Sequence, residues 1–97
     1  MNKARRKKIS DLVQRLVRLK NDYNYEELNK CIAILSDIKN EEEEIFDNMP
    51  EGLQYSTRGV DSESAIDSMN EALEQLEEIN AIETYIEEAI GYLGEIY

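Results

Sequence analysis

From Ile9 the apolar residues fall at Leu12, Val13, Leu16, Val17 and Leu19, a spacing of three and four that lines one face of a helix, with arginines and lysines beside it. This pattern predicts a basic amphipathic helix over about 3–20. The stripe loses phase through Asn21, Asp22, Tyr23, Asn24 and Tyr25, where a kink or a turn is expected over 21–25. Asn24 is suited to cap a new helix, with Glu27 at the third position reaching back to it. A second stripe of Leu28, Cys31, Ile32, Leu35, Ile38, Ile45, Phe46 and Met49 predicts a helix over about 25–49. Glu42 takes a position on that stripe, and a lone acid there is expected near the end of the bundle, where water reaches it.

Pro50 stops this helix because it has no backbone donor and pushes Met49 away from the helical region. Gly52 and Gly59 punctuate a connection expected over 50–60, after which Asp61 or Ser62 is suited to cap a last helix over about 62–97. Its apolar side is read as Ala65, Ile66, Met69, Ala72, Leu73, Leu76, Ile79, Ile82, Ile86, Ala89, Ile90, Leu93, Ile96 and Tyr97. Gly91 and Gly94 would each weaken its end by roughly 1 kcal/mol relative to alanine, unless they permit close backbone contact.

Charge changes this picture. The first twenty residues hold eight basic residues against one acid, Asp11, whereas the rest holds three, Lys30, Lys39 and Arg58, against twenty-one acids; the whole chain is −11. A chain so polarised can dock its basic end on its own acidic helices or on those of a second copy. At ~1.5 Å per residue, a last helix of about 35 residues would reach roughly 50 Å and the middle one only about 37 Å. The basic helix is expected to cover the excess, facing Glu74, Glu77, Glu78, Glu83, Glu87 and Glu88. The fold expected is therefore all-α: a long antiparallel helical hairpin with an additional basic N-terminal helix, coiled-coil-like, packed as a homodimer bundle. Ninety-seven residues make one small helical domain that gains from self-association.

Composition narrows the chemistry. There is no histidine, which removes the usual general base near neutral pH, and one cysteine, Cys31, cannot form an internal disulfide. Neither a membrane span nor a signal peptide is expected, and cytoplasmic residence fits best.

Three stretches carry a resemblance: Met1 to Ile9 at the start, Phe46-Asp47-Asn48-Met49-Pro50-Glu51-Gly52-Leu53-Gln54-Tyr55-Ser56 in the middle, and Ala65-Ile66-Asp67-Ser68-Met69 with Ile86-Glu87-Glu88-Ala89-Ile90 after it. The chain resembles a group of short, acidic, all-helical proteins of phages and prophages of Gram-positive bacteria, with the Asp-Asn-Met-Pro-Glu loop as the distinctive part. It departs from that group around Asp22 to Ile34. The group has no agreed activity, so the resemblance implies a mobile-element origin and one of two roles: inhibitor of a host antiviral defence protein, or accessory to phage replication or assembly.

The function expected is a non-enzymatic protein-binding protein that acts by occlusion or by acidic, nucleic-acid-like mimicry in the host cytoplasm. Arg5, Arg6, Lys7, Lys8, Met49, Pro50, Gln54, Tyr55 and Arg58 are the candidate interaction residues; no catalytic residue, metal or cofactor is expected. The basic run gains affinity for phosphate by counterion release, but the dominant acidic surface opposes it, so direct nucleic-acid binding is not expected. A third reading is a magnesium-dependent nucleotide pyrophosphohydrolase, in which Glu26, Glu27, Glu44 and Asp47 match part of an acid-pair pattern and Lys30 stands where another acid belongs. Glu41 to Glu44 form a solvated surface, because consecutive helical residues radiate around the axis.

Overall fold

The computed structural model describes residues 1–96, and these form an all-α protein. Helix α1 spans Lys3–Asn21, α2 Tyr25–Asp47, α3 Glu51–Gln54 and α4 Thr57–Gly94. Local chemistry sets each boundary. The Asn2 side chain accepts from the backbone N–H of Arg5 at 2.8 Å, and Arg18 and Lys20 sit in the last turn of α1, where the carbonyl end of the dipole favours cations. Asn24 caps α2 by accepting from the Glu27 backbone N–H at 3.0 Å, with Glu26 and Glu27 in the first turn. The Glu27 carboxylate does not reach back to Asn24 as a capping box would require; it turns to Arg15 instead.

The connection expected over 50–60 is largely helical. Pro50 opens α3, its carbonyl accepting from Leu53 and Gln54 at 2.8 and 3.2 Å. Ser56, not Asp61 or Ser62, caps α4: its hydroxyl oxygen accepts from the Gly59 backbone N–H at 3.4 Å, and the helix starts five residues earlier than the expected 62. Ser62 faces inward, where its hydroxyl serves a buried acid. Tyr97, placed on the last helix by sequence, lies outside the described residues.

Side-chain pairs show how the helices run. Lys8 meets Glu41 and Arg15 meets Glu27, so α1 and α2 are antiparallel; Ser62 meets Glu42 and Glu83 meets Tyr23, so α2 and α4 are antiparallel too. Both α1 and α4 pack on α2. The core holds Leu12, Cys31, Leu35, Ile38, Ile66, Met69 and Leu73, with Ile9, Leu16, Ile32, Phe46 and Leu76 around it. The principal extents are 65 × 25 × 14 Å, so the thickness is little more than one helix diameter of about 10–12 Å.

The basic helix does not cover the distal half of α4. Its ion pairs go to Glu27, Glu41 and Glu42 of α2, because α2 is the helix it packs against. Nor does α4 have one apolar side. Ile66, Met69, Leu73 and Leu76 face α2, and the same line continues into Asn80 and Glu83, while Ile79, Ile82, Ile86, Ile90 and Leu93 fall roughly a third of a turn around the helix. The buried Asn80 Oδ1, with no hydrogen-bond partner among the described residues, marks the place where the apolar stripe leaves the core face. Beyond it Ile82, Ile86, Ile90 and Leu93 are 56–62% exposed.

Gly91 and Gly94 lie in this distal segment, and an added Cβ at either would meet nothing within 4 Å. Within the single chain they serve no close backbone contact. Replacing both by alanine is expected to raise the helical signal of the distal segment and to stabilise it by about 0.5–1 kcal/mol per site, read by circular dichroism and by slowed amide exchange beyond Tyr85.

Candidate interaction site at the corner of α1, α2 and α4

Glu42 is the structural centre of this corner. It is 1% exposed, which corrects the expectation of a wet position at the end of a bundle. Its Oε2 accepts from Arg5 Nε at 2.7 Å, its Oε1 accepts from Ser62 Oγ at 2.7 Å, and the Met1 ammonium lies 3.4 Å away. Burial pushes the carboxyl up, but the hydrogen bonds from Ser62 and Arg5, together with the positive charges of the ammonium and Arg5, outweigh it and hold Glu42 below the usual carboxylate range. The acid thus ties α1, α2 and α4 together at one point.

Beside it opens a cavity of about 560 Å³ lined by Arg5, Arg6, Ile45, Met49, Thr57 and Arg58, among others. Four of the nine candidate residues, Arg5, Arg6, Met49 and Arg58, therefore meet at one place although they come from three segments of the chain. Arg5 is committed to Glu42, whereas the Arg6 Nε donates only to the Met1 carbonyl at 3.2 Å and Arg58 has no ion pair among the described residues. The other five go elsewhere. Lys7 pairs with Asp11 at 3.2 Å and Lys8 with Glu41 at 3.3 Å, both in solvent. Gln54 Nε2 donates to the Phe46 carbonyl at 3.0 Å and so clamps α3 to the end of α2. Pro50 is exposed at the start of α3, and Tyr55 is 80% exposed at its end. The basic run is thus divided by the helix itself, since successive residues point about 100° apart.

The acid run Glu41 to Glu44 has four different fates. Glu41 pairs with Lys8, Glu42 is buried, Glu43 lies 3.9 Å from Lys39, and Glu44 is exposed.

The opposite end of the molecule carries a second set of contacts. Arg15 Nε donates to Glu27 Oε1 at 2.7 Å, and this hydrogen bond holds the Glu27 carboxyl below its ordinary range. The Cys31 thiol, 3.8 Å from the same oxygen, is pushed up first by burial and then by the Glu27 charge, so it stays protonated. The Tyr23 hydroxyl donates to the Glu83 carboxylate, and that bond pushes the phenol up to about 12. Sequence reasoning did not find the Arg15–Glu27 or Tyr23–Glu83 pairs. The signal for Glu42 was present, since an acid on an apolar stripe requires a cation from another element, but nothing local says which one.

The pyrophosphohydrolase pattern is not assembled. Glu26 and Glu27 open α2, and Glu44 and Asp47 close it; at ~1.5 Å per residue the two pairs stand roughly 25 Å apart on one helix and cannot face a common ion. Glu27 is also engaged by Arg15. Among the described residues no group of three or more Cys, Asp or Glu could hold a metal, and no helix is long and apolar enough to cross a membrane. Compared with known protein families, with curated proteins and with solved structures, the chain matches none.

Proposed function

We propose that this chain is a non-enzymatic, phage-type protein-binding protein that inhibits a host antiviral defence protein in the host cytoplasm by occluding its working surface. The observation that carries the binding part is the exposed apolar surface of α3 and its end, next to the corner. Tyr55 at 80% and Leu53 at 46% exposure are presented on a short helix that is held by the Gln54–Phe46 clamp, the Ser56 cap and the close approach of Gly59. A large amphipathic ring on a preorganised support loses little freedom on binding, which is what an interface anchor requires. Arg58, three residues after Tyr55, and Arg6, which lines the same cavity as Arg58, supply cations for an acidic rim on the partner. The host-defence part rests on the resemblance to phage proteins. The acidic surface, with twenty-one acids against three basic residues after residue 20, speeds encounter with a basic target and serves as nucleic-acid-like mimicry.

In the same reading α2 and α4 act as a coiled-coil-like hairpin with α1 laid along it, packed with a second copy as a homodimer. The alternative, an accessory protein of phage replication or assembly, uses the same surfaces on a phage partner.

The test is capture by the tagged full chain from uninfected and phage-infected lysates at low and high salt, in parallel with Tyr55→Ala and Arg58→Ala. One host defence protein is expected from uninfected cells, and Tyr55→Ala is expected to weaken its binding about 30-fold, the loss typical of an aromatic anchor. Capture of phage proteins alone would transfer the reading to the accessory role. A host protein bound equally by both variants would remove the corner from the interface.

A further inference from the structure

We infer that the distal apolar face of α4, centred on Ile82, Ile86 and Leu93, is covered by the outer face of α1 from a second copy, and reciprocally. This deepens the homodimer reading above and rests on it.

Three observations carry the inference. The first is area. The chain exposes 7161 Å², whereas a compact monomer of its 11.3 kDa is expected to expose about 5,700 Å². The excess of roughly 1,400 Å² per chain is what an obligate homodimer removes from each partner. The radius of gyration, 17.8 Å, exceeds the ~12.5 Å of a compact domain of this length in the same sense.

The second is the direction of the face. The distal stripe turns away from α2 at Ile79, so no rearrangement of α1 along α2 would cover it. Residues 79–94 span about 24 Å, close to the roughly 28 Å of α1, so the two helices match in length.

The third is charge. From residue 77 to 96 the acids are Glu77, Glu78, Glu83, Glu87, Glu88 and Glu95, with no basic residue. Two distal segments laid against each other would bring acid to acid with nothing to neutralise it. The outer face of α1 has the opposite character: Val13 at 51% and Val17 at 49% exposure lie between exposed Arg6 and Lys20, and their spacings of seven, four and three place all four residues on one side of the helix. This face offers the distal segment both apolar contact and cations, over a matching length of helix. Two such contacts related by a two-fold axis close the assembly at two copies.

The experiment is sedimentation equilibrium of the full chain, of Val17→Glu, of Ile86→Lys, and of the two variants mixed in equal amounts. Both positions are exposed, so each variant is expected to keep the helical content of the parent, checked by circular dichroism. The parent is expected to be a dimer. Either variant alone buries an unpaired charge in both contacts, and its dimer dissociation constant is expected to rise about a hundredfold. In the mixed dimer one contact is that of the parent and the other pairs Glu with Lys, so mixing is expected to restore association. A monomeric parent would overturn both this inference and the homodimer reading. A dimer dissolved by Ile86→Lys but untouched by Val17→Glu would keep the homodimer and overturn the α1 assignment, as would a mixture no tighter than its components.

Discussion

Replacing Glu42 by alanine is expected to lower the unfolding free energy by about 3–5 kcal/mol, the usual consequence of breaking a buried charge cluster from one side. The substitution leaves the Arg5 guanidinium, the Met1 ammonium and the Ser62 hydroxyl without their common acceptor and opens a void where α1, α2 and α4 meet. A small domain holds only about 5–15 kcal/mol in total, so the loss removes a substantial fraction of its stability. Glu42→Met is expected to lose less, because it refills the space and the Arg5 side chain, already 11% exposed, can turn to water. Urea denaturation of the three proteins at pH 7 measures the order. The pH dependence has a definite sign. The folded Glu42 carboxyl is held below its unfolded value, so the unfolded chain binds its proton first. The stabilisation is complete above the unfolded pKa of about 4.3 and is lost as the pH falls through the lower folded value. Glu42→Gln should therefore flatten the loss of stability below about pH 4, and an unchanged acid limb would show that the cluster is not electrostatically coupled to folding.

Gly59→Ala is expected to be the next most damaging substitution, at about 3 kcal/mol or more, at the upper end for overpacking. An added Cβ would run into the backbone carbonyl oxygens of Gln54 and Leu53, and backbone cannot swing aside as a side chain does. The glycine is needed for this approach and not for its own conformation, since no residue among those described has a positive φ. Either α4 starts later or α3 is pushed off the corner, and both displace Tyr55. Gly52→Ala is the control: it lies in α3 with open space around it and should be neutral or slightly stabilising. Thermal melts of the two variants, with partner binding as a second readout, separate a misfolded chain from a displaced corner.

The local rules of helix formation made the all-α class and the Asn24 cap legible, because periodicity and capping act within a few residues. They also led to one error of the same kind. The segment 50–60 carries proline and two glycines and reads as a loop, yet Gly52 sits within α3, and Gly59 lets the first turn of α4 press on its end. The shift of the α4 stripe by about a third of a turn was readable in principle, since Leu76, Ile79 and Ile82 follow at two successive intervals of three, each drifting about 60°. A list of apolar residues on one helix hides it.

Four of the candidate interaction residues were identified from charge and from their position beside Pro50, and the fold brings them to one cavity. Their division of labour was not readable. Composition and periodicity alone determined that this is a polarised, acidic, helical chain with apolar faces in excess of what it can bury, since these depend on neighbours three and four residues apart. Only the tertiary structure decided that Arg5 out of eight N-terminal basic residues neutralises Glu42, that the basic helix pairs with α2, and that the distal face of α4 is left uncovered. Each of those depends on which surfaces meet across twelve or more residues of sequence, and Coulomb attraction, which favours any cation near any acid, does not choose among them until packing has fixed the distances.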